Sequence, residues 1–290
     1  MTVGADTQIT DLTVNDHACL TFGDAEELLD LTAAFVRDGL SAGLKVLWLN
    51  DTPARQALPE LGQRGVDTRA AVASGQLVTA SCEGSVLSGQ AFTPDAALGW
   101  LQGQIAACQR AGFGGLRVAV DMSWALRPVS GVERLPEFEE QAAAALTGTS
   151  VSLLCQYDRE RFDPVTLAQV AACHDHSVAA ATYHADAVLR VCRQYTPPGV
   201  RLAGEIDFRA EETLAAALTE AIRIDGDITV NMTALTFIDA ACIRMLINAA
   251  RGLPPPRRML VRCPPAVARM CSLMGGDEAL DMTVVTADGG

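Results

Sequence analysis

The chain has 290 residues, of which 49% are hydrophobic, 20% charged and 5% aromatic, a length that suggests two domains, each able to bury a core. Asp and Glu number 35 against 22 Lys and Arg, for a formal net charge of −13, which disfavours nucleic acid and anionic membrane surfaces as partners. No apolar run approaches the ~20 residues that span a bilayer, and residues 1–16 lack the basic and apolar regions of a secretory leader. A cytoplasmic protein is expected.

In chain order, HACLTF (17–22) reads as a strand and 25–43 as a helix, with Leu28, Leu31, Phe35, Val36 and Leu40 on one stripe and Gly43 past its end. KVLWLN (45–50) is a buried strand, PARQALPELGQRG (53–65) a helix and GQLVTAS (75–81) a strand. A helix at 95–112, a strand at 115–122, a helix near 134–146, a strand at 151–158 and a helix at 163–174 follow. Apolar strands alternating with helices predict an α/β domain, its mostly parallel sheet covered by helices on both faces. Near residue 185 the pattern changes to two β runs around Pro197, Pro198 and Gly199, and the domains are placed at 1–185 and 186–290. The acidity divides there too, with a net charge of −11 before the boundary and −2 after it.

The nine cysteines are scattered without a CxxC pair, which predicts buried reduced thiols rather than a disulfide framework. His174-Asp175-His176 places its histidines two apart, a spacing that shares no helix face; it reads as a helix-end turn with solvated histidines, and no metal or other cofactor is assigned. His17 reads as a fold residue. Glu137, Glu139 and Glu140 read as the solvated face of a helix.

Several short segments carry a family resemblance across about residues 12–185. They are Asp16-His17, Phe35…Gly39-Leu40…Gly43 with KVLWLN, Gly65-Val66-Asp67, Gly75-Gln76-Leu77, Gly115-Leu116-Arg117-Val118, Asp121-Met122-Ser123-Trp124 and Cys155-Gln156-Tyr157-Asp158. In this order they resemble the MEDS family of sensory domains, and the resemblance implies a RecA-like fold. That family usually has Gly-Glu-Met where this chain has Val120-Asp121-Met122. A phosphate-binding loop would need glycines, a lysine and a hydroxyl between the first strand and helix. Here the stretch is Thr21-Phe22-Gly23-Asp24-Ala25-Glu26-Glu27, with carboxylates where phosphates would sit and at the positive end of the helix. ATP hydrolysis is not expected, and the protein is read as no enzyme. The crevice above the strand ends remains the default small-ligand site, with Gly23, Asp24, Asp121, Trp124 and Tyr157 as candidates to line it. At Asp121 a second reading, a carboxylate capping the next turn, stays open. The alternative function is a divergent nucleotide-binding protein that uses arginines such as Arg117 or Arg127.

Residues 186–290 run strand, strand, helix (210–223), strand (228–232), helix (239–251), strand (258–263) and helix (264–275). Leu202-Ala203-Gly204-Glu205-Ile206-Asp207, Asn231-Met232-Thr233-Ala234-Leu235-Thr236-Phe237-Ile238-Asp239, Cys263-Pro264-Pro265-Ala266-Val267 and Leu273-Met274-Gly275-Gly276 together resemble the STAS domain of anti-sigma factor antagonists. The resemblance implies a bacterial partner-switching pathway that regulates transcription. In it, a kinase-type anti-sigma factor docks on a loop and phosphorylates a serine at a helix N-terminus. Here that loop is Asp239-Ala240-Ala241-Cys242; Ala240 stands at the acceptor position without a hydroxyl, and Cys242 replaces a glycine. Asp207, Asp239, Ala240, Ala241 and Cys242 are the candidate docking residues. Expected partners are an anti-sigma factor or another STAS protein, with self-association and a small ligand as further possibilities. Cys242 has two readings, a buried small thiol or a redox switch activated by the helix N-terminus.

Overall fold

The computed structural model describes residues 7–51, 54–87, 91–276, 279 and 281–286; Pro53, where the second helix was expected to begin, lies outside them. The chain divides into two units, Met1–Ala179 and Ala180–Gly290.

The first unit alternates β1 (His17–Phe22), α1 (Ala25–Ser41), β2 (Lys45–Leu49), α2 (Ala54–Gln63), α3 (Thr68–Ala73), β3 (Leu77–Ala80), α4 (Pro94–Arg110), β4 (Leu116–Asp121), α5 (Leu135–Leu146), β5 (Val151–Asp158), α6 (Pro164–Ala172) and β6 (His176–Val178). Its sheet has the order β3-β2-β4-β5-β1-β6, and every pairing in it is parallel. β5 is buried at every position but its last, as a strand covered on both faces must be. α1 packs on β1, β2 and β4 beside α2, while α5 packs on α4, α6 and β1; these two helix groups supply the layers. Side-chain caps begin α1 (Asp24), α4 (Thr93) and α6 (Asp163), satisfying amide donors that a helix start leaves orphaned.

The second unit contains β7 (Thr182–Ala185), β8 (Leu189–Tyr195), β9 (Pro198–Ile206), α7 (Glu211–Ile224), β10 (Ile228–Ile238), α8 (Ala240–Arg251), β11 (Met259–Cys263), α9 (Pro265–Leu273) and β12 (Met282–Thr286). Its sheet order is β12-β11-β10-β9-β8-β7. β7–β8 and β8–β9 are antiparallel, and the other three pairings are parallel. The division falls slightly ahead of residue 185 because Thr182–Ala185 hydrogen-bonds to β8. The short α3, β6 and β7 and the edge strand β12 are additional to the elements the sequence predicts. The two units are thus an α/β layered domain with a parallel sheet and a smaller mixed α/β domain.

β9 and β10 carry the structure of interest in the second unit. Their register breaks between Asn231 and Ala234 and again between Leu235 and Phe237; such bulges re-aim side chains near strand ends. Gly204 sits in this pair with φ +98°, and a Cβ there would lie 2.0 Å from the carbonyl oxygen of Val188. Gly204→Val should therefore lower the unfolding free energy of this unit by about 2 kcal/mol or more in denaturant titration. Gly226→Ala, at a position with open space around it, should change it little. Equal stability of the two variants would contradict this packing.

Candidate functional site

Three places on the chain gather chemistry. The first is the carboxyl-terminal edge of the parallel sheet. Asp24 caps α1 by accepting from the Glu27 amide at 3.0 Å, and the Glu27 carboxylate reaches back to the Gly23 amide at 2.8 Å, a reciprocal capping arrangement. Glu27 is buried and also takes a guanidinium N–H of Arg159 at 3.2 Å. The chain's own carboxylate thus occupies the positive end of α1, where a phosphate would otherwise bind. Asp121 accepts from the Ser123 amide at 2.9 Å and caps the turn Met122–Leu126, which is the second of its two readings. Burial pushes its carboxyl above the ordinary value, against the Ser123 bonds that lower it.

Two crevice candidates point elsewhere. Trp124 is 1% exposed, with its ring 4.8 Å from that of Phe92 in the core between sheet and helices. Tyr157 is fully buried, its ring set edge-on to Phe162. Strand alternation explains the latter: Gln156 faces α1 and donates to Thr32 Oγ1 at 2.7 Å, so Cys155 and Tyr157 face the opposite layer. The arginines of the nucleotide reading are likewise engaged. Arg117 donates to the carbonyls of Phe35 and Leu12 at 3.0 and 2.9 Å inside the core, and Arg127 pairs with Asp51 at 3.1 Å and Glu83 at 3.5 Å.

The second place is a buried polar cluster formed where β1, β5, α5 and the turn after α6 meet. Glu139 is 0% exposed, which corrects its reading as part of a solvated helix face; Glu137, by contrast, pairs with Arg134 at the surface. The Glu139 Oε2 lies 3.1 Å from His17 Nε2, 3.4 Å from Cys155 Sγ and 3.5 Å from His174 Nε2. The Tyr157 hydroxyl donates a short bond to Oε1. His174, expected in solvent, has a fully buried side chain, whereas His176 is partly exposed and pairs with Asp16 at 3.4 Å. Burial pushes the Glu139 carboxyl up, but the bonds and charges of His17 and His174 with the Tyr157 hydroxyl outweigh it and hold it below the ordinary value. Burial, then the Glu139 charge, pushes the Cys155 thiol and the Tyr157 phenol well above theirs. The ligand-capable atoms of His17, Glu139, Cys155 and His174 all lie within 4.8 Å of one another.

Spacing within α5 carried a signal for this cluster. Leu135, Phe138, Glu139, Ala142 and Leu146 are its buried residues, so Glu139 sits on the apolar stripe, four residues after Leu135 and three before Ala142. His174 likewise follows buried Val170 by four and returns to its carbonyl through Nδ1 at 2.7 Å.

The third place is the joined ends of β9 and β10, which bring the docking candidates together. Asp239 donates its amide to the Ile206 carbonyl and caps α8 by accepting from the Cys242 amide at 2.8 Å. The Cys242 thiol reaches the Asp207 carbonyl at 3.5 Å. Cys242 is fully buried, and burial, then Asp239, pushes its thiol up to about 12. Its burial and raised thiol favour the buried-thiol reading over the redox switch, which needs a thiolate. Ala240 is exposed, Ala241 half-buried, and Asp207 is forked by Arg209 at 2.7 and 3.0 Å. Flanking the loop in sequence, Phe208 is 66% and Phe237 50% exposed; the bulge at Leu235/Phe237 leaves Thr236 and Phe237 both facing outward.

Comparison with known families matches residues 16–175 to MEDS, the methanogen/methylotroph DcmR sensory domain. The chain belongs to the MEDS family. Residues 189–285 match the Mlab-type STAS domain, so the MEDS domain is followed by a STAS domain, an arrangement of sensory and signalling type. No curated protein matches the chain. Among solved structures, a KaiC-like protein from the hyperthermophilic archaeon Pyrococcus horikoshii is similar at 11% identity, with a TM-score of 0.44 over 66% of this chain and 79% of its own. The fold follows from strand order and register. Among the described residues no helix of this MEDS–STAS protein is long and apolar enough to cross a membrane.

With the start of α1 filled by Glu27, saturating Mg-ATP should leave the thermal unfolding of the protein unchanged. Ligand at 100 times its Kd would instead add about 2.7 kcal/mol. A stabilisation of that size, lost with Asp121→Ala, would contradict the self-filled edge.

Proposed function

We propose that this MEDS–STAS protein is a non-catalytic adaptor of a bacterial partner-switching pathway, cytoplasmic and acting on transcription. Its STAS domain docks an anti-sigma factor or another STAS protein through the loop of Asp207, Asp239, Ala240, Ala241 and Cys242. The observation that carries this reading is the exposed Ala240 at the capped start of α8, with Phe208 and Phe237 exposed beside the loop. Large apolar side chains held in water near an ordered loop favour a protein partner. Asp239 and the Cys242 thiol hold the loop's shape, so it needs little reordering on binding.

Without a hydroxyl at Ala240, docking is constitutive: no phosphoryl group can add the charge of about −1.5 to −2 that would break such a complex. Signal input then comes from the MEDS domain, whose sensory class supports that role.

The test uses the intact protein, Ala240→Asp and Phe237→Ala as baits in lysate of the native cell, with the captured proteins identified and their affinities measured. Recovery of an anti-sigma factor or STAS protein is expected, and each variant should weaken it at least about tenfold, or about 1.4 kcal/mol. Equal recovery by all three baits, or capture of this chain alone, would contradict the docking surface.

A further inference from the structure

The buried cluster of the MEDS domain has a feature that hydrogen bonding alone does not satisfy. His174 Nδ1 lies 2.7 Å from the Val170 carbonyl; a carbonyl only accepts, so Nδ1 carries the proton. In the neutral ring Nε2 then holds a lone pair. That lone pair is buried, has no hydrogen-bond partner and sits 3.5 Å from Oε2 of the Glu139 carboxylate. Two buried electron-pair donors facing each other need a proton or a metal cation between them.

The separations between the four donor atoms indicate which cation fits. Tetrahedral zinc with Zn–N and Zn–O of ~2.0–2.2 Å and Zn–S of ~2.3 Å requires about 3.3 Å between its N and O ligands and about 3.6 Å from these to sulfur. His17 Nε2 and His174 Nε2 lie 3.1 and 3.5 Å from Glu139 Oε2. Cys155 Sγ lies 3.4 Å from Glu139 Oε2 and 3.7 Å from His17 Nε2. These distances match four of the six edges of such a tetrahedron to within a few tenths of an ångström, and the other two, from His174 to His17 and to Cys155, fall within the 4.8 Å that bounds the whole set.

We propose that His17 Nε2, Glu139 Oε2, Cys155 Sγ and His174 Nε2 form a buried tetrahedral site for a divalent ion of the zinc class. Two imidazoles, a carboxylate and a thiolate are the borderline donor set that such an ion selects over magnesium or calcium. Two neutral and two anionic ligands around a divalent ion sum to zero charge, the only kind of ionic group that burial tolerates cheaply. The outer contacts belong to a metal site as well. Tyr157 donates to Glu139 Oε1 and leaves Oε2 for the ion, and the Val170 carbonyl fixes the tautomer and ring of His174. His17 Nδ1 has no partner among the described residues. Binding converts the Cys155 thiol to a thiolate and releases its proton to solvent, so loading takes up one ion and liberates one proton from that side chain. Three ligands stand on β1, α5 and β5, while His174 lies in the turn between α6 and β6.

The test is loading of the purified full chain with Zn²⁺, then with Co²⁺ as a spectroscopic probe. One equivalent of zinc should survive gel filtration, and the cobalt form should show strong visible ligand-field bands with a near-ultraviolet thiolate-to-cobalt charge-transfer band. Cys155→Ser should remove the charge-transfer band, and His174→Ala should lower zinc affinity at least about a hundredfold, the scale of loss for a disturbed metal site. Cys263→Ala, in the STAS domain, should change neither. Circular dichroism of each variant separates ligand loss from misfolding, and the wild-type spectrum decides the matter if a variant fails to fold. Folded wild-type protein without a thiolate–cobalt band, or a band that persists in folded Cys155→Ser, would overturn the proposal.

Discussion

The buried carboxylate of Glu139 is the constraint on which the first unit is organised. A charge in the core is tolerated only when donors surround it, and here they come from three separate pieces of chain: His17 from β1, Cys155 and Tyr157 from β5, and His174 from the turn after α6. Meeting on one group fixes the strand register, since Cys19 lies opposite Cys155 and His17 opposite Leu153 across the parallel β1–β5 pair. A slip of one residue would turn His17 or Cys155 to the α1 face and leave the carboxylate short of a partner. Removing one member of such a buried set costs about 3–5 kcal/mol, more than a single apolar contact in the surrounding core provides.

Two helix starts show how similar local chemistry leads to different roles. Both α1 and α8 are capped by an aspartate that accepts from the amide three residues on, Asp24 from Glu27 and Asp239 from Cys242. At α1 the third helical residue is a glutamate, which folds back, takes the Gly23 amide and is buried with Arg159. That end of the sheet is closed by its own side chains. At α8 the corresponding residue is Cys242, whose thiol turns inward to the Asp207 carbonyl. The outer surface of that turn is left to Ala240, with exposed Phe237 before it in sequence. One terminus is self-satisfied, and the other is ordered and available.

The sequence made the strand and helix order of both domains legible, because continuous apolar runs and capping residues are local signals. The motifs that hold the docking candidates end at strand termini that pair as β9 and β10, which brings those residues together. The cluster was misread for a physical reason. Glu137 and Glu140 are surface acids, and reading Glu139 with them ignored its place on the stripe of Leu135, Phe138 and Ala142. The spacing of His174 from His176 says nothing of its surroundings, because its Nε2 faces Glu139 and its ring lies against His17, both far away in sequence. Trp124 and Tyr157 were assigned to a crevice by their position near strand ends. Alternation along β5, read from the buried Gln156–Thr32 bond, sends Tyr157 to the opposite layer. The edge strand β12 and the short β6 and β7 gave too little pattern to see.

The central claim is that Glu139 is an ionised carboxylate in the core of the folded protein. Infrared difference spectroscopy of wild type against Glu139→Gln at neutral pH reads this directly, because a buried protonated acid has a carbonyl stretch that a carboxylate lacks. With its carboxyl held below the ordinary value by His17, His174 and Tyr157, the wild type should show no acid carbonyl band assignable to Glu139, and the difference should lie in the carboxylate stretches. An acid carbonyl band present in the wild type and absent from Glu139→Gln would contradict both the ionised hub and the ion site built on it.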